Sequence, residues 1–241
     1  MPMDLLLAGA RGLWEDLAQA PVSFASSGSV NVVVSPRSEL CPAGWVGVVA
    51  LGGSAIVTAP SESAAVIVRD ALGRLPAEAV VDSAAVRAVL PVARVLGPAA
   101  LAYVSSGSFR PVGDGALMTV EQLSAAHPDV RALEQRAGRE DAGEAALDEI
   151  TSPAFVVREH GRVVAAAGYQ AWRRRTAQIG VLTEPEARGR GLARATGSAV
   201  VAHALAAGLL PQWRARRLAS RRVAGALGFE ELGFQLSVEL V

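Results

Sequence analysis

The sequence contains no lysine, because all 23 of its Lys+Arg residues are arginines. A Walker-type phosphate loop needs a lysine directly after its last glycine, so this class of nucleotide site is excluded. Cysteine occurs once, as Cys41, which excludes an internal disulfide and a zinc site built from several cysteines. We interpret Cys41 as a small, buried or half-buried apolar side chain.

Long apolar runs are also missing, since no stretch of about 18 uninterrupted apolar residues occurs. The N-terminal segment MPMDLLLAGARGLWEDL carries acids within its apolar part, without the basic start and cleavage site of a secretory leader. We therefore predict a cytoplasmic protein that has no membrane contact. The apolar fraction of 51% is sufficient for a packed core.

Net charge is zero, which argues against a dedicated nucleic-acid-binding protein. The charges are nevertheless unevenly distributed along the chain. From Gly161 onward twelve arginines stand against five acids, which gives +7, and the preceding part carries −7. A basic second part favours an anionic ligand there, and the acidic first part would attract a cationic one or simply aid solubility.

The first part of the chain has the pattern of a mixed α/β domain. Helices are predicted at 4–19, 61–75 and 82–90, and strands at 30–34, within 45–57 and at 101–105. The segment SSGSFRPVGDG (105–115) is rich in Ser, Gly and Pro and has no apolar period, as is typical of a linker. We predict an N-terminal α/β domain at 1–113 and a second domain at 114–241.

The second part alternates helices and strands in a defined order. Two helices are predicted at 119–126 and 129–149, a β-hairpin at 154–172 that turns at His160 and Gly161, a third strand at 177–183, a helix at 191–208, a strand at 212–216, a helix at 220–227 and a last strand at 233–241.

The segment TEPEARGRGLA (183–193) joins the third of these strands to an Ala-rich helix. A helix N-terminus has unpartnered N–H groups and a partial positive charge, and Gly189 and Gly191 allow a ligand to approach the backbone closely. Arg188, Arg190 and Arg194 add positive charge. An anion site and an ordinary turn with solvated arginines are both consistent with the turn alone, whereas the dinucleotide fingerprint fails because Arg194 occupies its third glycine position.

Two segments resemble the GNAT superfamily of N-acetyltransferases. The family signature R/Q-x-x-G-x-G/A is matched by Arg188, Gly191 and Ala193, after a strand and the usual proline, Pro185. Downstream, RLASRRVAGALGF (217–229) is similar to the family's closing motif N-x-x-S-x-x-[VLI]-A-x-x-L-G-F. The resemblance covers about residues 116–241 and implies a mixed, mostly antiparallel central sheet flanked by helices, to which the first 113 residues add an α/β domain.

The resemblance also implies a binding site for acetyl-CoA as co-substrate, without a metal ion. Strand residues Val181, Leu182 and Thr183 would pair with the pantetheine arm, and a backbone N–H near Leu182 would polarise the thioester carbonyl. Ser220 would contact CoA. The pyrophosphate would lie on the turn, whose residues are Arg188, Gly189, Arg190, Gly191, Leu192, Ala193 and Arg194. Three further arginines, Arg217, Arg221 and Arg222, could meet the adenosine phosphate or be solvated.

Side chains for acid and base catalysis are poorly marked. The family's tyrosine after the last helix is absent, since LGFEELGFQL has Phe234, and Arg217 replaces the usual asparagine, so that water or Ser220 would protonate the leaving thiolate. Gln178 stands where the family often has Glu and cannot accept a proton. Tyr169 is a candidate wall of the acceptor pocket.

Other polar side chains have plainer interpretations. Glu184 and Glu186 are explained by the helix dipole, although either could act as a base. His203 and Trp213 are interpreted as packed in the core.

Two functions remain open on this sequence. One is an acetyl-CoA-dependent N-acetyltransferase that acts on an amine of a small molecule or peptide, and the other is a non-catalytic acyl-CoA-binding protein. The N-terminal part is either a cap over the acceptor site or a degenerate second copy of the fold. A homodimer is left open, and no nucleic-acid or membrane partner is expected.

Overall fold

The computed structural model describes residues 3–113 and 118–241. Contacts divide the chain into two compact units, which we call unit 1 (Met1–Leu101 with Glu231–Val241) and unit 2 (Ala102–Glu230). The predicted boundary between residues 113 and 114 adjoins 114–117, which lie outside the described residues, so it stays a prediction. The last eleven residues therefore belong with the first hundred.

The described residues form helices and strands in the following order: α1 Met3–Leu17, β1 Val30–Val34, β2 Val46–Leu51, β3 Ser54–Ala59, α2 Glu62–Leu72, α3 Ser83–Val89, β4 Val92–Tyr103, β5 Glu121–Leu123, α4 Pro128–Ala137, α5 Arg139–Ala145, β6 Ala154–Glu159, β7 Arg162–Trp172, β8 Thr176–Thr183, α6 Leu192–Ala206, β9 Leu210–Ala215, α7 Leu218–Ala226 and β10 Glu230–Leu240. None of these helices is long and apolar enough to cross a membrane.

Unit 1 is built on a sheet with the strand order β1-β3-β2-β10-β4. The tight turn between β2 and β3 uses Gly52 and Gly53, both at positive φ, which matches the twist of an antiparallel hairpin. β10 pairs antiparallel with β2, and its Leu236 and Val238 are fully buried in the core of this unit. The chain thus places its last strand in the middle of a sheet begun by its first strands.

Unit 2 has the strand order β9-β8-β7-β6-β5, in which only β8 and β9 are parallel. One face packs against α4 and α5, and the other against α6 and α7. Gly168 and Gly180 permit close packing on the first face, because a Cβ on Gly180 would lie 2.1 Å from the Ala145 carbonyl oxygen and one on Gly168 2.5 Å from Ile150. The expected mixed, mostly antiparallel sheet with flanking helices is confirmed.

Several predicted elements differ from the structure. The helix expected at 119–126 is wrong, since Glu121–Leu123 is a strand that pairs with β6. The helix expected at 129–149 is interrupted at Gly138, where φ is +87°. β4 begins at Val92, nine residues before the expected strand, because Gly97 and Pro98 do not end it. In each case strand pairing or a local backbone angle overrides the pattern of the sequence.

Candidate functional site

A gap opens in unit 2 between the ends of the two parallel strands. β8 and β9 are paired over four residues only, from Thr176↔Leu210 to Ile179↔Trp213. Beyond that pair β8 continues to Thr183 and β9 to Ala215 without pairing to each other. The gap therefore has a closed end at Ile179 and an open end at the turn that leads into α6.

The register of β8 with β7 determines which backbone N–H groups of β8 point into this gap. The N–H of Glu184 donates to the Val164 carbonyl oxygen at 2.9 Å, and Leu182 pairs with Ala166. Because residues of an antiparallel strand alternate between the two sides, Leu182 directs its N–H to β7, and Val181 and Thr183 direct theirs away from β7 to the gap. The backbone donor near Leu182 that faces the gap is consequently that of Val181.

The turn at the open end is built from two glycines in the left-handed region. Gly189 and Gly191 have φ of +77° and +81°, and an added Cβ on Gly189 would meet no atom within 4 Å. Gly191 is the N-cap of α6 and no side chain caps the helix. The N–H groups of Leu192 and Ala193 lie in the first turn of α6, where no intrahelical acceptor exists. This is an anion-binding geometry, with the positive end of a 15-residue helix behind it.

The arginines of the turn differ in their partners. Arg188 Nη2 lies 2.5 Å from Asp141 Oδ2 on α5. Arg190 forms a two-pronged ion pair with Glu159 at the end of β6. Arg194 is exposed, and the part of the chain that the structure describes contains no ion pair to it. The turn thus has one uncommitted guanidinium and two that carboxylates hold.

A second group of arginines follows β9, on the other side of the gap. Arg216 binds Glu144, and Arg217 binds Glu140 at 2.7 Å and Asp141 at 2.9 Å. The hydrogen bonds that Arg216 donates to Glu144 and Arg217 donates to Glu140 raise the pKa of both guanidinium groups. Asp141 thereby contacts arginines on both sides of the gap, and α5 lies across its open end.

Glu184 lies at the start of the turn but has a structural environment. It is 5% exposed, and its carboxylate receives Arg136 Nε at 3.0 Å and Arg162 Nη2 at 3.4 Å. Glu186 is exposed to solvent. Both carboxylate oxygens of Glu184 are thus engaged by guanidinium groups, which gives this side chain a structural role.

Ser220 lies on α7 and contacts the strand that borders the gap. Its Oγ accepts a hydrogen bond from the Trp213 indole N–H at 2.9 Å. Trp213 is 3% exposed and packs edge-on against Phe229, with 5.4 Å between ring centroids. The expectation that Trp213 is a core residue is confirmed, and its polar edge orients the Ser220 oxygen.

Tyr169 of β7 contacts His203 of α6. Tyr169 is 6% exposed within the core between the sheet and this helix, and its hydroxyl lies 3.3 Å from His203 Nδ1. Burial raises the pKa of Tyr169 above its usual value. Tyr169 therefore packs on the face of the sheet that α6 covers, opposite to the face that α4 and α5 cover.

Sequence reasoning did not find Tyr103, which the structure brings to the closed end of the gap. Tyr103 ends β4 and is fully buried, and its hydroxyl donates to Gln212 Oε1 at 2.6 Å. Gln212 Nε2 in turn donates to Gln178 Oε1 at 2.7 Å. The only signal in the sequence is a tyrosine in a short apolar strand before the linker, which does not indicate a distant partner.

Within residues 3–113 and 118–241 no group of three or more His, Cys, Asp or Glu side chains is arranged to hold a metal ion.

One family model matches a segment of the chain. Residues 152–233 match the model of the GNAT acetyltransferase family. Comparison with curated proteins gives no match.

Solved structures similar to the chain include an acetyltransferase of the GNAT family from Colwellia psychrerythraea (14% identity, 63% of this chain and 59% of that chain, TM-score 0.47). Another is a GCN5-related N-acetyltransferase from Kribbella flavida (20% identity, 60% and 58%, TM-score 0.46). A third is a GNAT superfamily phosphinothricin acetyltransferase from Sinorhizobium meliloti in complex with acetyl-CoA (22% identity, 50% and 86%, TM-score 0.39). The chain spans less than two thirds of the length of the first two.

Proposed function

We propose that this protein, whose residues 152–233 match the model of the GNAT acetyltransferase family, is an acetyl-CoA-dependent N-acetyltransferase. The observation that supports this most directly is the combination of a strand gap with an uncapped, glycine-lined helix N-terminus at its open end. The acceptor is an amine of a small molecule or peptide.

The residues present fit coenzyme A. The pyrophosphate would accept hydrogen bonds from the backbone of residues 189–193, with Arg188, Arg190 and Arg194 around it. The pantetheine arm would extend an unpaired β8 edge, where Val181 and Thr183 offer backbone groups. Ser220 would contact CoA through its hydroxyl hydrogen, because its oxygen already accepts from Trp213.

Acyl transfer in this site would rely on the backbone more than on side chains. The N–H of Val181 would donate to the thioester carbonyl, a bond that strengthens as negative charge develops on the oxygen. Ser220 or water would protonate the departing thiolate. A thiol has a pKa of about 8.5, so a thiolate leaves at moderate cost without a strong acid.

Deprotonation of the acceptor has no dedicated carboxylate in this proposal. Glu184 is held by Arg136 and Arg162, and Gln178 cannot accept a proton. Water would therefore remove the proton, and the reaction favours amines that are already neutral at the working pH.

The same observation supports the second candidate, a non-catalytic acyl-CoA-binding protein. A chain that retains the turn and the gap but has no free base would bind acetyl-CoA and release no thiol.

A steady-state assay of thiol release from acetyl-CoA across a library of amines tests the proposal, alongside calorimetric titration of acetyl-CoA. Turnover with any amine supports the acetyltransferase. Binding without turnover for every amine favours the second candidate, and no binding of acetyl-CoA contradicts both.

A further inference from the structure

Three residues of unit 2, Tyr103, Gln212 and Gln178, form a continuous series of side-chain hydrogen bonds at the closed end of the gap. It runs from the Tyr103 hydroxyl to Gln212 Oε1 and from Gln212 Nε2 to Gln178 Oε1. Gln178 and Gln212 are paired in the parallel register, one step before the last pair, Ile179↔Trp213. The chain therefore ends where β8 and β9 begin to separate.

Burial of the polar groups in this series of hydrogen bonds carries a free-energy cost. Tyr103 and Gln212 are both 0% exposed. A buried hydroxyl or amide that lacks a partner costs about 1 to 3 kcal/mol, and apolar residues of similar size would fill the same space without that risk. Retention of two buried polar groups in an apolar sheet is therefore a sign of function.

The direction of the chain decides the character of its last group. Because Tyr103 donates to the oxygen of Gln212, the Gln212 amide presents its nitrogen to Gln178, and the Gln178 oxygen is thereby occupied. Its remaining polar group is the Nε2 amide, which donates only. Among the residues described, none accepts a hydrogen bond from this nitrogen, and Gln178 is half-buried. The series of hydrogen bonds thus ends at Gln178 Nε2, an oriented donor that can bond to an oxygen atom of a ligand.

From these contacts we infer that the Gln178 side-chain amide donates a second hydrogen bond, in addition to that of the Val181 N–H, to the acyl carbonyl oxygen of the bound thioester, and that Tyr103 and Gln212 are positioning residues that orient it. The inference rests on the proposed function, since the thioester reaches the closed end only if the pantetheine arm occupies the gap. From Thr183 to Ile179 the strand spans about 13 Å.

The chemical role is stabilisation of charge during transfer. The lone pair of the neutral amine forms the N–C bond, and the carbonyl π electrons move to the oxygen, where the Gln178 N–H meets them. Collapse of this intermediate breaks the C–S bond and expels the CoA thiolate, which gains a proton as the new amide loses one to water. No oxidation or reduction occurs. A donor fixed by a hydrogen-bond chain needs no reorganisation at this step.

The test compares two probes that differ only in the acyl group, acetyl-CoA and free CoA. The side-chain amide signals of Gln178 are followed by 1H–15N NMR of the full chain and assigned with Gln178→Leu. We expect the Gln178 amide protons to shift downfield with acetyl-CoA and to stay within about 0.1 ppm of their free position with CoA, while backbone signals of residues 189–193 shift with both.

Variants separate positioning from structure. Tyr103→Phe removes one hydroxyl and should abolish the acetyl-dependent shift and lower kcat about tenfold, with the KM for acetyl-CoA unchanged. Gln178→Leu, at a half-buried site, should lower kcat by about a hundredfold. Gln170→Leu is the matched control, because Gln170 lies on β7 directly opposite Gln178 of β8, and its side-chain oxygen accepts a hydrogen bond from the Trp172 indole. The kinetics of this variant should be unaltered.

Each result has one meaning. Equal Gln178 shifts with both probes overturn the inference and leave acyl-CoA binding intact. If neither the Gln178 amide signals nor the backbone signals of residues 189–193 shift with either probe, the proposed function is overturned, and this inference with it. If Tyr103→Phe fails to fold, the comparison of the two probes on the unaltered chain and on Gln178→Leu still decides.

Discussion

At the scale of single residues, the arginines and acids around the gap are already paired with each other. Arg188, Arg216 and Arg217 are each bound by a carboxylate of α5, and Glu184 is bound by two guanidinium groups. Paired charges of this kind stabilise the fold locally and weaken the case for any one of them as a proton acceptor. The charged side chains around the gap therefore form ion pairs with each other and are not arranged for proton transfer.

Glu184→Gln should destabilise the protein without changing the pH dependence of its reaction rate. Two guanidinium groups would lose a buried carboxylate, which we expect to lower the free energy of unfolding by about 2 kcal/mol. Chemical denaturation measures the loss. Glu186→Gln, at an exposed position beside it, is the control and should be neutral. A pH–rate profile whose acidic limb disappears in Glu184→Gln would contradict the assignment and make Glu184 the base.

Cys41 should make stability fall at alkaline pH. Burial raises the pKa of its thiol from 9.0 to about 11 in the folded chain. Below pH 9 the thiol is neutral in both states, and between about 9 and 11 only the unfolded chain ionises, so the free energy of unfolding decreases across that window. Urea denaturation at several pH values measures this slope. Cys41→Ala should remove it, and an identical slope in that variant would disprove the cause.

At the scale of elements, α5 stands out because it touches both borders of the gap. Its acids bind arginines that follow β8 and arginines that follow β9, and its last residue packs on Gly180. The helix is short, seven residues, and Gly138 separates it from α4. Binding of a polyanion at the arginines would exchange these carboxylates for phosphates.

Asp141→Asn should tighten the binding of CoA. The carboxylate competes for Arg188 and Arg217, so its removal frees Arg188 for phosphate and leaves Arg217 with Glu140 alone. We expect a Kd about threefold lower, with a steeper dependence on salt. Calorimetric titration with CoA measures both. Asp70→Asn, which removes an exposed ion pair with Arg74 in unit 1, is the control. Weaker binding in Asp141→Asn would show instead that α5 holds the arginines in place for the ligand.

Gly180→Ala should displace α5 from the sheet. The new Cβ would lie 2.1 Å from the Ala145 carbonyl oxygen, and backbone must shift to relieve this contact, at a cost of about 3 kcal/mol. Gly225→Ala is the matched control, because nothing lies within 4 Å of its Cβ on α7, and it should stabilise by up to about 1 kcal/mol. Thermal unfolding compares the two variants. Equal melting temperatures for both would contradict the packing described.

At the scale of the whole molecule, the compact units do not follow the order of the sequence. The segment that matches the family model ends at residue 233, the fourth residue of β10, whereas β10 from Glu231 onward belongs to unit 1. Removal of residues 231–241 should therefore unfold unit 1, because Leu236 and Val238 leave its core and β2 loses a partner. Hydrogen exchange followed by mass spectrometry should show lost protection in β2 and β3. Protection retained in both strands would count against the assignment of β10 to this unit.

Elements with a strong local pattern were predictable. The hairpin of β6 and β7 and the start of α6 after a glycine turn are confirmed, since alternation, turn residues and helix propensity agree there. β5 was missed because three residues are too few to show a period, and their strand state depends on pairing with β6. Residues of the turn were identified by resemblance, and their roles stay a prediction.

The sequence by itself determined what local chemistry can determine. It excluded a Walker loop and a disulfide, because lysine is absent and cysteine occurs once. It also marked residues 183–193 as a candidate anion site, because the glycines and arginines of this turn are adjacent in the chain. Only the tertiary structure decided which partners occupy those arginines, that Glu184 is held by Arg136 and Arg162, and that Tyr103 meets Gln212 across 109 positions. The reason is that strand neighbours are chosen by the burial of the whole sheet, and side-chain contacts between distant segments leave no period in the sequence.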